Sequence, residues 1–532
     1  MNINNLYNFK NPVRHFLNID VRIHTNVEEV DIRDLAWTQP IQFRVRKDES
    51  EYRRLKMPNI LNFLCALNRF KDSSNFLDFQ EIDIRKRLIP NTETGDFATG
   101  VYDEQLESDF EKLCVYDNLL KLDIKSYYER IYTHDISFEN AGDENFLTNL
   151  NAGNTNGLIM GNFISLYFAE KYLKDISDDL FRMFTQENIN CDFSYFSDDF
   201  YFFCNKKDNE NVIRIFDGIL EKYDLERNDG KIETWTYLTY NDYNLSEKYW
   251  KKIISDSKRR FNEERHDNIL YFTNQLIYRL SNLKEYKLKK TFLNTFFKST
   301  YFYTLDTTKF NIETYNFHQL CYIFKFSPET MLYSINRFRH SALFNSDNFK
   351  KFLFTRYKEI LSTSFNDEQL YYYYSIKMLG FNDILENTGD MVVDCNNQLL
   401  ISYYLKDRLF NTEHIEKLKL KTDEKYWFQN YHLILYTNLI DDLEGSINRY
   451  LMPSFATKDR QKICYTNFYT LNLNSAISLI KDIELVVDNI GEYMNSLIDE
   501  RHDVFGDPYD LEDEDEDQEY TEDELGEDYL DE

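Results

Sequence analysis

Apolar and polar positions follow two different periods along this sequence, and each period predicts a different kind of element. Short aromatic-rich runs flank Asp198 and Asp199, and aromatic side chains are enriched on pleated, half-buried strands. An apolar run that ends at Asp123 predicts another strand. Between these strands the apolar residues recur at helical spacing, at Ile164, Phe168, Ala169, Tyr172, Leu173 and Ile176. The pattern therefore predicts a small sheet with a helix packed against it.

From residue 241 onward the pattern is helical. Residues 241–490 contain only three Gly and two Pro, so regular elements are rarely interrupted. Asp267 and Asn397 are suited to N-caps, and Gly380 is suited to a C-cap. The region predicts repeated helical hairpins, as in an α-solenoid, although it shows no repeat of fixed length. The amphipathic segments are Asn268–Leu283, Glu368–Leu379, Gln398–Phe410, Tyr431–Leu443 and Ala476–Ile490.

Charge and cysteine usage narrow the class of protein. The formal net charge of the 532 residues is −30, but sixteen acidic residues lie in 507–532, which has no Lys or Arg. Such a block repels itself and predicts a disordered tail, which either solubilises the chain or competes with nucleic acid for a basic groove. The seven cysteines show no CxxC or Cys/His cluster, so reduced thiols are expected. The absence of a signal-peptide pattern and of a long apolar run predicts a cytoplasmic protein without a membrane partner.

Asp198 and Asp199 place two charges between two apolar runs. Strands on either side would hold the carboxylates rigidly in a hairpin turn at a sheet edge, which costs stability unless a cation neutralises them. Mg²⁺ prefers such carboxylate oxygens. The alternative is a polar hairpin turn without chemistry. A third acid, Asp123, and a glycine-containing loop, Thr155–Ser165, precede this pair and favour the metal site.

One Asp at a strand end, a Gly-containing loop before a helix, and Asp-Asp on a hairpin form the order of motifs A, B and C in reverse transcriptases. The chain resembles reverse transcriptases over residues 50–235. More narrowly, Arg53–Asn59, Ile131–His134 and Gly157–Ser165 are similar to AbiK-like abortive-infection reverse transcriptases, which are bacterial antiphage proteins. The resemblance implies an α+β fold with fingers and palm in 1–240, a HEAT-like helical domain replacing the thumb in 241–505, and the disordered acidic tail in 506–532.

The resemblance also implies two-metal nucleotidyl transfer from dNTPs. Asp123, Asp198 and Asp199 would be the catalytic, metal-binding carboxylates, with the backbone carbonyl of Ile124 as a further ligand. The metals would be two Mg²⁺ ions, with Mn²⁺ as an alternative. Tyr128 would lie under the sugar and exclude a ribose 2′-hydroxyl, the alternative being an ordinary core aromatic.

Other residues carry substrate and product contacts by the same resemblance. For the basic residues near the N-terminus the alternative is a solvated surface, and for Lys231 it is a plain β-turn. Basic residues that alternate with aromatic ones after the palm would grip single-stranded DNA, the alternative being amphipathic helices with basic outer faces. The substrate contacts are Tyr128, Arg53, Arg54, Arg85, Gly161 and Lys231. The nucleic-acid contacts are Lys251, Lys252, Arg259, Arg260, Lys287, Lys289 and Lys290.

Ile159 and Met160 stand where many reverse transcriptases have Pro-Gln, and Phe196-Ser197 replaces the usual Tyr-Ala. A polar residue in this loop helps to position a templated base pair, so its loss fits the untemplated synthesis that the AbiK-like resemblance implies. The resemblance further implies a homo-oligomer, and a tyrosine primer that leaves single-stranded DNA covalently attached to the protein. Tyr7, near the chain start, is the candidate primer if it lies on a mobile segment. Two alternatives remain: RNA-templated reverse transcription, and a catalytically idle palm that serves as a binding scaffold.

Overall fold

The computed structural model describes residues 3–10, 12–21, 30–73, 75–79, 82–93, 95, 100–241, 267–298, 302 and 315–505. Four of the expected nucleic-acid contacts, Lys251, Lys252, Arg259 and Arg260, lie outside these residues. The acidic tail lies outside them as well.

The N-terminal half contains two antiparallel sheets. The first is the hairpin of β1 (Ile41–Arg46) and β2 (Tyr52–Met57). The strands of the second are β3 (Asn118–Asp123), β4 (Cys191–Phe196), β5 (Asp199–Cys204) and β6 (Glu233–Trp235). Their order across the sheet is β4-β5-β3-β6.

Within the described residues up to 222, seven α-helices accompany these strands. They are α1 (Ile3–Tyr7), α2 (Ile60–Phe70), α3 (Gly100–Leu113), α4 (Tyr127–Arg130), α5 (Glu144–Leu150), α6 (Phe163–Gln186) and α7 (Asn209–Lys222). Short 3₁₀ helices lie at Val13–Phe16, Ile32–Asp34, Thr133–Asp135, Lys206–Asp208 and Asp229–Lys231. The longest of the seven, α6, begins where Asn162 accepts a hydrogen bond from the Ser165 N–H, at 2.9 Å, as an N-cap does.

The four-stranded sheet has two different faces because successive side chains on a strand point to opposite sides. On one face Phe200 packs against Phe216 of α7, and Phe202 packs against Phe184 of α6. On the other face Phe203 belongs to a small separate core, which also contains Leu106 of α3. Asp199 has the same parity as Phe203, so it lies on the face opposite α6 and α7.

Every regular element that the structure describes after residue 241 is helical. The α-helices are Asp267–Asn282, Tyr286–Phe297, Tyr315–Phe326, Glu329–Phe338, Asp347–Leu361, Asn366–Met378, Asn382–Glu386, Gly389–Asp394, Gln398–Lys406, Thr412–Lys419, Trp427–Tyr436, Leu443–Tyr450, Asp459–Asn474 and Ile483–Phe505. Short 3₁₀ helices lie at Glu424–Tyr426 and Asn438–Asp442. The molecule is therefore a mixed α/β protein with small sheets near the N-terminus and an all-helical C-terminal region.

Helix Asn366–Met378 joins the two regions. Its first residues cover the free edge of β1: the Arg44 N–H donates to Asn366 Oδ1 at 2.9 Å, and the Arg46 N–H donates to Asp367 Oδ1 at 3.2 Å. Unpaired strand-edge groups are thereby satisfied, as buried backbone groups must be. A single cluster of buried apolar residues runs from Leu6 to Met494, so both regions share one hydrophobic core.

Within the described ranges, every helix is too short or too polar to cross a bilayer.

Candidate active site

The pairing of β3 with β5 brings the acidic residues to one end of the sheet. Asp123 and Asp199 are direct partners across the two strands. The Ile124 N–H donates to the Asp198 carbonyl at 2.9 Å, which makes Asp123 and Asp199 a non-hydrogen-bonded pair. Side chains approach each other most closely at such positions. Two of the carboxylates predicted from the sequence, Asp123 and Asp199, therefore meet at one end of the sheet, between its two interior strands.

The turn itself differs by one residue from the prediction. Ser197 and Asp198 form the two-residue turn, with Ser197 at φ 53°, while Asp199 already belongs to β5. The expectation that both acids occupy the turn is therefore wrong for Asp199. The carboxylate of Asp198, in the turn, therefore has different surroundings from the carboxylate of Asp199, on the strand.

Asp123 is buried, with 4% of its surface exposed, and both of its oxygens have donors. Asn228 Nδ2 donates to Oδ1 at 2.9 Å, and Lys231 Nζ donates to Oδ2 at 2.6 Å. The Asn228 N–H also donates to the Asp123 carbonyl at 2.8 Å. The turn before β6 is thus fastened to the end of β3.

Asp199 has its own cation. Its Oδ2 lies 3.1 Å from Lys121 Nζ, a residue on the same face of β3. Burial by itself would lower the pKa of Lys121, but the neighbouring Tyr201 and Asp199 outweigh it and raise that pKa. Lys121 therefore stays charged and neutralises Asp199.

Asp198 is in a different situation. Burial raises the pKa of its carboxyl group, and the charge of Asp123 raises it further. Hydrogen bonds within the turn, including one from Ser197, act in the opposite direction. Two acidic groups therefore face each other in a poorly solvated place, where a cation would stabilise both.

A metal site of three or more His, Cys, Asp or Glu side chains is not assembled anywhere in the described ranges. The donor chemistry nevertheless fits a hard divalent cation at Asp123 and Asp198. Mg²⁺ is commonly held by only one or two carboxylates together with substrate phosphates. Burial, followed by the charge of Asp123, raises the pKa of Asp198, so a bound cation would favour the ionised form of this carboxyl group. Ile124 is buried beside them and bridges to Arg227.

Tyr128 lies against the acidic turn. Its ring packs edge-on against Tyr127, with centroids 5.6 Å apart, and 8% of the residue is exposed. Burial raises the pKa of Tyr128 well above its ordinary value, and the carboxylates of Glu170 and Asp198 add to this. Its carbonyl accepts a hydrogen bond from the Leu158 N–H at 2.7 Å. The ring is thus fixed between the hairpin and the loop that precedes α6.

That loop, residues 155–162, is held by backbone contacts. The Gly157 N–H donates to the Ile131 carbonyl at 2.9 Å, and a Cβ at Gly157, where φ is +90°, would lie 3.1 Å from the Glu129 carbonyl oxygen. Gly161 has φ +125°, and its carbonyl accepts from the Phe9 N–H at 2.9 Å. Both glycines are required by the path of the backbone.

The two adjacent arginines of β2 point to opposite sides. Arg53 has the same parity as the buried Leu55 and Met57, and its charge acts on the Tyr128 hydroxyl. Arg54 lies on the outer face with its guanidinium 5.9 Å from the Tyr52 ring centroid. Of this pair, the structure brings only Arg53 toward the acidic residues.

Arg85 is engaged elsewhere. Its Nη1 donates to Ser177 Oγ at 2.6 Å and to Asp178 Oδ1 at 3.1 Å, both on α6. Its guanidinium also lies 5.0 Å from the Phe181 ring centroid. Because its guanidinium group already has these partners on α6, Arg85 is the basic residue least suited to the predicted substrate contact.

A buried ion pair below the site was missed by the sequence analysis. Lys86 Nζ lies 3.0 Å from Glu170 Oε2, and both side chains are almost fully buried. Burial raises the pKa of Glu170, and Lys86 opposes that effect. The available signal was an acidic residue on the apolar face of α6, between Leu166 and Leu173.

The remaining described candidates are three lysines of the helical region and Tyr7. Lys290 Nζ donates to the Arg46 carbonyl at 3.3 Å, while Lys287 is exposed and Lys289 is half-buried. The expectation that Tyr7 lies on a mobile segment is wrong. Tyr7 is buried, and its hydroxyl donates to the Pro58 carbonyl at 2.6 Å. It also packs edge-on against Phe63.

No protein-family model matches the chain, and no curated protein matches it either.

Proposed function

We propose that this chain is a bacterial antiphage DNA polymerase of the reverse-transcriptase type, which transfers nucleotides from dNTPs. The observation that carries the proposal is the pairing of Asp123 with Asp199 across β3 and β5, with Asp198 in the adjoining turn. A position for a sugar is supplied by Tyr128, which is fixed against that turn.

Each residue has a role in this proposal. Asp123 and Asp198 would hold the metal, and Asp199, neutralised by Lys121, would keep the turn in place. Bound Mg²⁺ would acidify the attacking hydroxyl and stabilise charge on the departing pyrophosphate. Arg53, whose charge acts on Tyr128, and Lys231, which contacts Asp123, would contact the triphosphate. Tyr128 would exclude a ribose 2′-hydroxyl.

The proposal includes untemplated synthesis from a protein tyrosine. Met160 stands where many reverse transcriptases have the polar residue, and it packs partly buried against the apolar core, so this position offers no polar side chain for positioning a templated base pair. The primer would be a tyrosine other than Tyr7, and the product would be single-stranded DNA attached to the chain. The helical region would act as a HEAT-like substitute for a thumb, and the active form would be a homo-oligomer in the cytoplasm.

One observation favours a second candidate, a palm without catalysis that serves as a binding scaffold. Lysine ammonium groups already neutralise two of the three acids, Lys231 at Asp123 and Lys121 at Asp199. Because these two acids already have lysine counter-ions, charge balance alone gives them no need of a metal ion. RNA-templated reverse transcription is the alternative within the enzyme class.

Incubation of the purified chain with labelled dNTPs and Mg²⁺, with and without an RNA template, separates these candidates. We expect template-independent incorporation that is abolished in Asp123→Asn and in Asp198→Asn. Asp192→Asn is the matched control, because Asp192 lies on β4 and pairs with Lys112 instead. Incorporation only with RNA supports templated synthesis. Absence of incorporation in the wild-type chain under all conditions, with metal bound or not, rejects the polymerase and leaves the scaffold.

A further inference from the structure

The hairpin of β4 and β5 carries a cysteine at each of its open ends. Cys191 begins β4, Cys204 ends β5, and the register places them directly opposite each other. Cys204 is fully buried, whereas Cys191 is partly exposed on the edge strand of the sheet. The proposed nucleotide chemistry uses neither thiol.

The position of the two cysteines in the ladder decides whether their sulfur atoms can be joined. The turn has two residues, so the flanking pair of Phe196 and Asp199 exchanges both backbone hydrogen bonds. Alternate pairs outward from it are non-hydrogen-bonded, and Cys191 with Cys204 is one of these. Cα atoms in such pairs are about 4.5 Å apart. Disulfides span Cα separations of about 4.4–6.8 Å.

A second contact confirms this parity. The Ile124 N–H donates to the Asp198 carbonyl, which directs that carbonyl toward β3. The backbone groups of the next residue, Asp199, are therefore directed toward β4. Five residues further along β5, the backbone groups of Cys204 again point toward β3, away from Cys191. The side chains of the two cysteines consequently face each other without a backbone hydrogen bond between them.

The surroundings of Cys204 favour a reactive sulfur. A hydrogen bond from the Cys191 thiol lowers the pKa of Cys204, and burial opposes it. Asn118 Nδ2 lies 3.9 Å from Cys204 Sγ and adds a weak donor. The same hydrogen bond raises the pKa of Cys191. Loss of one proton from the pair thus leaves a thiolate beside a thiol, the arrangement of redox-active dithiols.

We propose that Cys191 and Cys204 are a redox site that forms a reversible intramolecular disulfide when a hydroperoxide reaches the edge of the sheet. The sulfur of Cys191, the partly exposed member of the pair, attacks one peroxide oxygen, the O–O bond breaks, the Cys191 proton passes to the departing oxygen, and water leaves, which gives a sulfenic acid at Cys191. The Cys204 thiolate then attacks the Cys191 sulfur, and hydroxide leaves. With uptake of one proton by hydroxide, two thiols and one hydrogen peroxide give one disulfide and two waters.

The cross-link has a mechanical consequence for the site. It joins the ends of the hairpin whose turn carries Asp198, so β4 can no longer separate from β5 at its open end. Backbone amides of the edge strand should then exchange with solvent more slowly, because local opening is restrained.

The test is mass spectrometry of the full-length protein after exposure to hydrogen peroxide and alkylation of free thiols. Trypsin releases both cysteines in one peptide, Met183–Lys206, because no Lys or Arg lies between them. We expect this peptide to lose two hydrogens, to resist alkylation, and to recover both alkylation sites after treatment with dithiothreitol. Cys114→Ser is the control, since Cys114 is exposed and outside the hairpin.

The wild-type result decides the matter without a variant, and Cys191→Ser checks it. In the variant the peptide should keep a single oxidised or alkylated sulfur, and peroxide should no longer slow amide exchange in β4. The proposal is overturned if the wild-type peptide stays doubly alkylated at peroxide doses that oxidise Cys114. It is equally overturned if both sulfurs proceed to sulfinic acid without forming the cross-link.

Discussion

Lys231 Nζ lies 2.6 Å from Asp123 Oδ2, so an ammonium group covers one oxygen of the carboxylate that ends β3. Lys231 remains 51% exposed, while Asp123 is buried. The lysine can therefore move into solvent or toward a ligand, but the carboxylate cannot. A cation that binds Asp123 must displace this ammonium group first.

Replacing Lys231 with Met should therefore strengthen Mg²⁺ binding while it weakens dNTP binding. An ion pair with one exposed partner is worth about 0.2–1 kcal/mol, which corresponds to at most about a fivefold gain in Mg²⁺ affinity. Isothermal titration with Mg²⁺ measures the gain. Lys125→Met, which removes an exposed lysine paired with Glu226, is the control. Unchanged Mg²⁺ affinity in Lys231→Met would place the metal away from Asp123.

Asp198→Asn should stabilise the metal-free protein, and more so at high pH. Burial and Asp123 raise the pKa of Asp198 in the folded state. The contribution of Asp198 to the free energy of unfolding is therefore fully present below its ordinary pKa of 3.8 and is lost as the pH rises through the folded pKa. Asn does not ionise, so the variant avoids that loss of stability. Thermal unfolding with EDTA should show a higher Tm than wild type at pH 8 and a smaller difference at pH 4. Asp192→Asn should show neither change, and an equal gain at both pH values would contradict the argument.

Tyr128→Ala should relax sugar selection, so that the ratio of ribonucleotide to deoxynucleotide incorporation rises. Removal of the ring opens the space beside Ser197 and Asp198, where the hydroxyl of Tyr128 now lies. Tyr128→Phe keeps the ring and should keep the selection. Competition assays with mixed rNTPs and dNTPs give the ratio. If both active variants retain the wild-type ratio, the ring serves only the core that it forms with Tyr127.

Local features were predictable because they depend on neighbouring residues. Asn397 caps its helix by accepting from the Leu400 N–H, and Gly380 follows its helix at φ +73°. The end of β3 at Asp123 and the helical spacing in α6 were likewise read from the sequence. The segment predicted as Ala476–Ile490 begins later, at Ile483, because Ile480 bridges to Leu17.

The partners of individual side chains could not be predicted from the sequence, because they depend on contacts between residues far apart in the chain. Arg85 and Arg53 both stand in basic clusters, and only the packing of α6 gives Arg85 its partner Asp178. Tyr7 stands near the chain start, yet the Pro58 carbonyl and Phe63 enclose it. A basic cluster or a terminal position indicates no partner by itself, since partners come from elements distant in the chain.

The junction between the sheet and the helical region contains two adjacent buried acids. Asp367 and Glu368 lie at the start of helix Asn366–Met378, and Arg46 Nη1 lies 3.2 Å from Glu368 Oε1. Burial, followed by the charge of Asp367, raises the pKa of Glu368 from 4.5 to about 7. A pKa raised in the folded state makes folding most favourable when the group is protonated.

Stability should therefore fall as the pH rises from about 4.5 to about 7, and Glu368→Gln should flatten this part of the profile. Gln keeps an acceptor for Arg46 and removes the repulsion with Asp367. We expect a gain of about 1–3 kcal/mol at pH 8 and little change at pH 4.5. Urea unfolding across this pH range measures both. Glu413→Gln is the control, because Glu413 is exposed and pairs with Lys417 along its own helix. A lower stability of Glu368→Gln at pH 8 would show that the charged pair with Arg46 outweighs the cost of burying the second acid.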